Sequence, residues 1–99
     1  MKKAYLGISF SQRPRFEAEI ITIRQVWLRQ NIELWAFVDQ YRFTADAEQQ
    51  MMQRAFADLE QCDLLIVEMS KKAVGVGIEV GYAVARQKPI IYLKKFDAN

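Results

Sequence analysis

The 99-residue sequence has no histidine, one cysteine, two prolines, four glycines and no long apolar run. Without an imidazole there can be no Ser-His-Asp or Cys-His catalytic pair and no His-ligated zinc, so acid–base chemistry falls to carboxylates, Tyr or Lys. The lone thiol, Cys62, can form neither an internal disulfide nor a thiolate metal cluster, and it reads as a small buried hydrophobe in a reducing compartment. No stretch approaches the roughly 18 apolar residues of a membrane span. Met1-Lys2-Lys3 is followed by only a short apolar stretch, with Ser9 and Ser11 close behind, which does not suit a secretion signal. The expectation is a cytoplasmic protein with no membrane partner. An excess of one charge is also missing: 14 Lys+Arg against 12 Asp+Glu leave +2, short of what a nucleic-acid polymer would call for. A small anionic ligand remains open.

What is present suits a single compact domain over residues 1–99. Four segments rich in β-branched and aromatic residues read as strands, at about Ala4–Phe10, Glu33–Val38, Asp63–Glu68 and Pro89–Leu93. Their near-continuous apolar character suggests burial on both faces of a parallel sheet. Three segments of helical period lie between them. The first should start at Pro14 and carry Phe16, Ile20, Ile23 and Trp27 as its buried stripe, with Trp35 of the second strand also a packing residue. The second should be capped by Thr44 or by Asp46, the latter with Gln49 as a capping box, and should bury Met52, Phe56 and Leu59. The third should begin in Gly75-Val76-Gly77 and run to about Gln87, where Lys88-Pro89 ends it.

The βαβαβαβ order implies right-handed crossovers and a small doubly wound α/β fold, flavodoxin- or Rossmann-like, with a four-stranded parallel sheet and helices on both faces. Ligands of such sheets bind outside the carboxyl ends of the strands, where the strand order reverses. The stretch from Ser70 to Tyr82 lies at such an end. Gly75 and Gly77 would let the backbone turn sharply and approach a ligand, and Gly81 would let the helix pack closely on a neighbour. A dinucleotide-binding fingerprint does not fit, because the glycines follow the third strand, their spacing is GxGxxxG and no acidic residue ends a following strand. A phosphate-receiver domain would need acidic residues after the first strand, where Ser9-Phe10-Ser11 stands, and an aspartate where Glu68 stands. Glu79 falls in the expected first turn of the third helix, where the dipole favours its ionised form. That placement suits a nucleophile or electrostatic stabiliser, and equally a surface glutamate that merely complements the helix.

The run Cys62-Asp63-Leu64-Leu65-Ile66-Val67-Glu68-Met69, then Gly75-Val76-Gly77-Ile78-Glu79-Val80-Gly81-Tyr82-Ala83-Val84-Ala85 and Lys88-Pro89-Ile90-Ile91, resembles the nucleoside 2-deoxyribosyltransferase family. Within it the resemblance is strongest to the 2'-deoxynucleoside 5'-phosphate N-hydrolases. It covers about the last 40 residues, with weaker support from Tyr5-Leu6-Gly7-Ile8-Ser9.

The resemblance implies cleavage of an N-glycosidic bond in two steps. A glutamate attacks C1', the base leaves, and water or a second base resolves the glycosyl ester. Glu79 matches that glutamate, Tyr5 a tyrosine of the family's active site and Ser9 a serine that holds a 5'-phosphate. No metal or organic cofactor is implied.

Two positions depart from the family. Ala55 stands where an aspartate assists base departure, and Asp58, about 5 Å further along the same helical face, is the candidate substitute. Ala73 stands where a second phosphate-binding serine is expected, and Lys72, with Lys71 and Ser70, could neutralise a phosphate instead. Arg13 and Arg15 could join that phosphate site, and Tyr41 and Phe43 could stack on a base or meet a partner subunit.

These departures keep a second reading open, a non-catalytic nucleotide-binding module of the same fold, and behind it an interaction domain with no small ligand. Family members usually continue past the fourth strand, often closing the site with a partner's C-terminal segment, whereas this sequence ends six residues after Leu93. A homodimer is therefore expected, with Tyr41, Phe43, Lys94 or Lys95 completing the site.

Overall fold

A computed structural model of the chain describes residues 1–70 and 73–94. Four parallel strands, β1 (Lys2–Gly7), β2 (Ile32–Ala36), β3 (Leu64–Glu68) and β4 (Ile90–Leu93), form one sheet in the order β2-β1-β3-β4. Helix α1 (Glu17–Arg29) follows β1, a short α2 (Phe37–Gln40) and a longer α3 (Glu48–Glu60) follow β2, and α4 (Val74–Ala85) joins β3 to β4. This is the expected doubly wound α/β fold. Alternation along the strands divides the core into two layers. Ala4, Leu6, Leu34, Ala36 and Ile66 pack with Phe16 and Ile20 under α1, and the half-buried Ile23 and Trp27 complete that stripe. Tyr5, Leu65 and Val67 face the other way, against Ala55 and Leu59 of α3 and Val76 and Ala83 of α4, and Cys62 is buried there as expected.

The element boundaries differ from the sequence expectation for identifiable reasons. β1 stops at Gly7, after its last partner Val67, because the Ser9 carbonyl accepts the N–H groups of Gln12 and Arg13 and turns the chain into a 3₁₀ turn over Arg13–Phe16. Pro14 opens that turn, and α1 itself starts only at Glu17. Phe37 and Val38 look strand-like because they are buried, yet they lie in α2, beyond the end of β2. Neither Thr44 nor Asp46 caps a helix: the Thr44 hydroxyl bonds the Asp46 carboxylate, and a 3₁₀ turn over Ala45–Ala47 leads into α3. In α3 the fully buried positions are Ala55 and Leu59, while Met52 and Phe56 are half-buried.

The three glycines of α4 also differ from expectation. All lie within the helix without positive φ, and a Cβ at Gly75, Gly77 or Gly81 would meet nothing within 4 Å. They provide neither a sharp turn nor a tight helix contact. Among the described residues no helix is long and apolar enough to cross a membrane.

Candidate active site

Strand order reverses between β1 and β3, and their carboxyl ends border a cleft of about 270 Å³. One side is formed by Ile8, Ser9 and Phe10 after β1, another by Ala73, Val74, Gly75 and Val76 at the start of α4. The remainder comes from Phe37 and Val38 of α2 and from Met51, Met52 and Ala55 of α3. Glu79 also lines it.

Glu79 lies one turn deeper in α4 than its sequence neighbourhood suggests. With the helix beginning at Val74, its first turn holds no acidic residue, and Glu79 falls in the second turn, turned inward and only 7 % exposed. Its Oε2 accepts a hydrogen bond from the phenol of Tyr5, which is fully buried on β1 beneath it. Burial, opposed by this hydrogen bond, raises the Glu79 carboxyl to about 7. The expectation of an acid held low by the helix dipole is therefore overturned, since desolvation outweighs a dipole effect that fades beyond the first turn. Tyr5 is pushed well above its ordinary pKa, first by burial and then by the negative charge of Glu79.

Gly7, not among the expected site residues, explains how the carboxylate fits. A Cβ at this position would lie 3.1 Å from Glu79 Oε1 and 3.5 Å from a Leu65 methyl. A glycine inside a buried parallel strand was the available signal, since such a glycine often marks a close approach.

The other candidate residues separate. Ser9 reaches the cleft, where its hydroxyl accepts the Gln12 N–H at 3.3 Å and lies 3.2 Å from the Ser11 hydroxyl. Gly75 lines the cleft, whereas Gly77 is exposed and its N–H continues the helix to the Ala73 carbonyl. Ser70 does not line it; its N–H and hydroxyl each bond the Glu68 carboxylate at 2.7 Å. Lys71, Lys72 and Lys95 lie outside the described residues.

Asp58 lines a different hollow, with Lys3, Trp35 and Arg54. Its carboxylate accepts the Trp35 indole N–H at 3.2 Å and pairs with Arg54 at 3.6 Å. The cleft position on that helix belongs to Ala55.

Arg13, expected at a phosphate site, instead forks onto both oxygens of Asp39 at 2.8 and 3.0 Å and also pairs with Glu17; Arg15 bonds the Gln12 side chain. Tyr41 and Phe43 close a ring cluster around Phe37, at centroid distances of 5.0 and 6.1 Å, and do not line the cleft. The Arg54 guanidinium covers Tyr41. Among the described residues, no group of three or more acidic or thiol side chains could hold a metal ion.

A four-stranded parallel sheet with helices on both faces, and a buried carboxylate at its strand-order reversal, defines a doubly wound α/β protein. A family model for nucleoside 2-deoxyribosyltransferase matches residues 6–99, and the chain belongs to that family. Among solved structures, the chain is similar to a 2-desoxiribosyltransferase from Leishmania mexicana, with a TM-score of 0.74, 18 % identity and 95 % of this chain covered. It is also similar to a conserved protein from Enterococcus faecalis V583, with a TM-score of 0.75, 26 % identity and 98 % of this chain covered. The chain spans 65 % of the length of each. No curated protein matches the sequence significantly.

Proposed function

We propose that the protein cleaves the N-glycosidic bond of a 2'-deoxynucleoside or its 5'-monophosphate, with Glu79 as the nucleophile. The observation that carries this reading is the Glu79 carboxylate, hydrogen-bonded by Tyr5 and set in a largely apolar cleft at the strand ends. Ionised Glu79 attacks C1', the C1'–N bond breaks and its electron pair leaves with the base, giving a glycosyl ester. Attack by water on C1' then breaks the ester and restores the carboxylate; attack by a second base would make the reaction a transfer. The family supports glycosyl transfer in general terms, and the sequence resemblance to the 5'-phosphate N-hydrolases favours water as acceptor. Phe10, Phe37 and Met52 supply an apolar bed for a base, and Ser9 a hydroxyl for the sugar or its phosphate.

The test is to incubate the protein with the four deoxynucleosides and their 5'-monophosphates and to follow free base by chromatography. Base release well above that of Glu79→Gln is expected; equal release would end the enzymatic reading. The second reading, a nucleotide-binding module, is favoured by Ala55 and Ala73, which line the cleft where the family resemblance calls for an aspartate and a serine. It predicts thermal stabilisation by a nucleotide, about 2.7 kcal/mol at a hundredfold excess over Kd, with no base released.

A homodimer is part of this proposal. Away from the cleft, α4 exposes Ile78 and Val84 while its one charged residue, Glu79, points inward, which suits a second copy. Sedimentation showing only an 11.6 kDa species at micromolar concentration would refute it.

A further inference from the structure

Cleavage through two carboxyl groups normally gives the leaving group a proton from the second one. In this cleft Glu79 is the only acidic side chain among the described lining residues, and the one other polar lining side chain is the Ser9 hydroxyl. The space around Glu79 is walled by Phe10, Phe37, Val38, Met52 and Ala55. Two nearby groups of suitable chemistry are committed elsewhere. Tyr5 donates its hydroxyl hydrogen to Glu79 and is buried beneath the cleft without lining it. Asp58 accepts the Trp35 N–H in a separate hollow. An apolar wall binds a flat base by dispersion and stacking, but it delivers no proton.

We propose that the preferred substrates are deoxynucleosides, free or 5'-phosphorylated, whose base departs without a proton from the described residues that line this cleft: N7-alkylated, cationic purines and strongly electron-poor pyrimidines. The proposal rests on the reading of Glu79 as nucleophile and specifies the leaving group for that same site. With an N7-alkylated purine, Glu79 bonds to C1' as the C1'–N9 electron pair moves into the positively charged ring, and the base leaves neutral. Water then adds at C1', the C1'–Oε bond breaks, one proton of the water passes to solvent and the carboxylate is regenerated. With an electron-poor pyrimidine the same first step releases a stabilised anion that takes its proton from water.

The experiment measures kcat/KM for base release from 7-methyl-2'-deoxyguanosine and from 2'-deoxyuridines carrying 5-substituents of graded electron withdrawal, with rates in the absence of enzyme subtracted. Deoxyguanosine and deoxyuridine are the unactivated members, and Glu79→Gln is the control. An advantage of at least about 100-fold for the activated members is expected, the lower end of what a general acid contributes. Ala55→Asp, which would place a carboxyl group at the cleft wall, should speed the unactivated members selectively and flatten the series. A flat series in the wild-type protein, with release well above the control, would overturn the inference while leaving Glu79 as nucleophile. Release no faster than Glu79→Gln for every member would overturn both.

Discussion

The phenol of Tyr5 on β1 and the carboxylate of Glu79 on α4, 74 residues apart in sequence, share a hydrogen bond beneath the cleft floor, with the phenol as donor. Both groups are removed from water, Tyr5 completely and Glu79 nearly so. Burial raises the carboxyl to about 7 against the opposing pull of the phenol, and it raises Tyr5 further from its ordinary value. The phenol therefore stays protonated where the carboxyl titrates, and it acts as a fixed donor that favours the charged nucleophile.

A pH–rate profile should show this directly. A nucleophile must be ionised, so base release should rise with pH through about 7. Tyr5→Phe removes the bond that favours the ionised form, so the rise should move up by about one unit, with a rate loss of about fivefold at neutrality and about tenfold well below it. An unmoved profile in Tyr5→Phe would show that the phenol does not tune the carboxyl.

The same carboxyl couples stability to pH. Its value is raised from 4.5 in the unfolded chain to about 7 in the folded one, so the folded state binds the extra proton between these values. Stability contributed by that proton is complete below about 4.5, is lost as pH rises through about 7, and amounts to about 3 kcal/mol at most. Glu79→Gln keeps an acceptor for Tyr5 and removes the titration. Its melting temperature should exceed that of the wild type at about pH 8, by several degrees, and should approach it at about pH 4. An equal difference at both pH values would contradict a buried, titrating Glu79.

The order of strands and helices could be read from the sequence because parallel strands buried on both faces carry continuous apolar runs, as Leu65-Ile66-Val67 does. The misjudged boundaries, at Ile8 and at Phe37-Val38, are places where residues are buried outside the sheet, and composition cannot separate burial from strand pairing. Glu79 stood out as a residue of interest from its place after the third strand. Its protonation did not, because it is set by tertiary packing over Gly7 and Tyr5 while the local sequence shows only a helix start. The glycines drew attention in the wrong order: Gly75, Gly77 and Gly81 form a motif yet lie in ordinary helix, whereas Gly7, outside that glycine motif, is the one against which the carboxylate rests.

Gly7 can be tested on its own. In Gly7→Ala the new methyl would lie 3.1 Å from Glu79 Oε1, so the carboxylate that accepts from Tyr5 through Oε2 would have to shift by a few tenths of an ångström. Base release should fall about tenfold or more, since small misplacements of a reacting group are costly, while stability should fall by about 1–2 kcal/mol. A variant that lost stability but kept its full rate would show that Gly7 serves packing against Leu65 alone.

Asp58 is the residue for which sequence position and geometry differ most. On α3 it lies one turn beyond Ala55, yet its carboxylate holds the Trp35 indole N–H and pairs with Arg54, away from the cleft. Asp58→Ala would leave the half-buried Trp35 N–H without its acceptor and should cost about 1–3 kcal/mol in chemical denaturation. Asp58→Asn, which keeps an acceptor oxygen, should recover much of that loss. Base release per folded molecule should change little in either variant, whereas removal of a general acid would cost about 10²–10⁴-fold. A loss of that size in Asp58→Asn, with stability near wild type, would make Asp58 the proton donor and would require α3 to shift toward Glu79 when substrate binds.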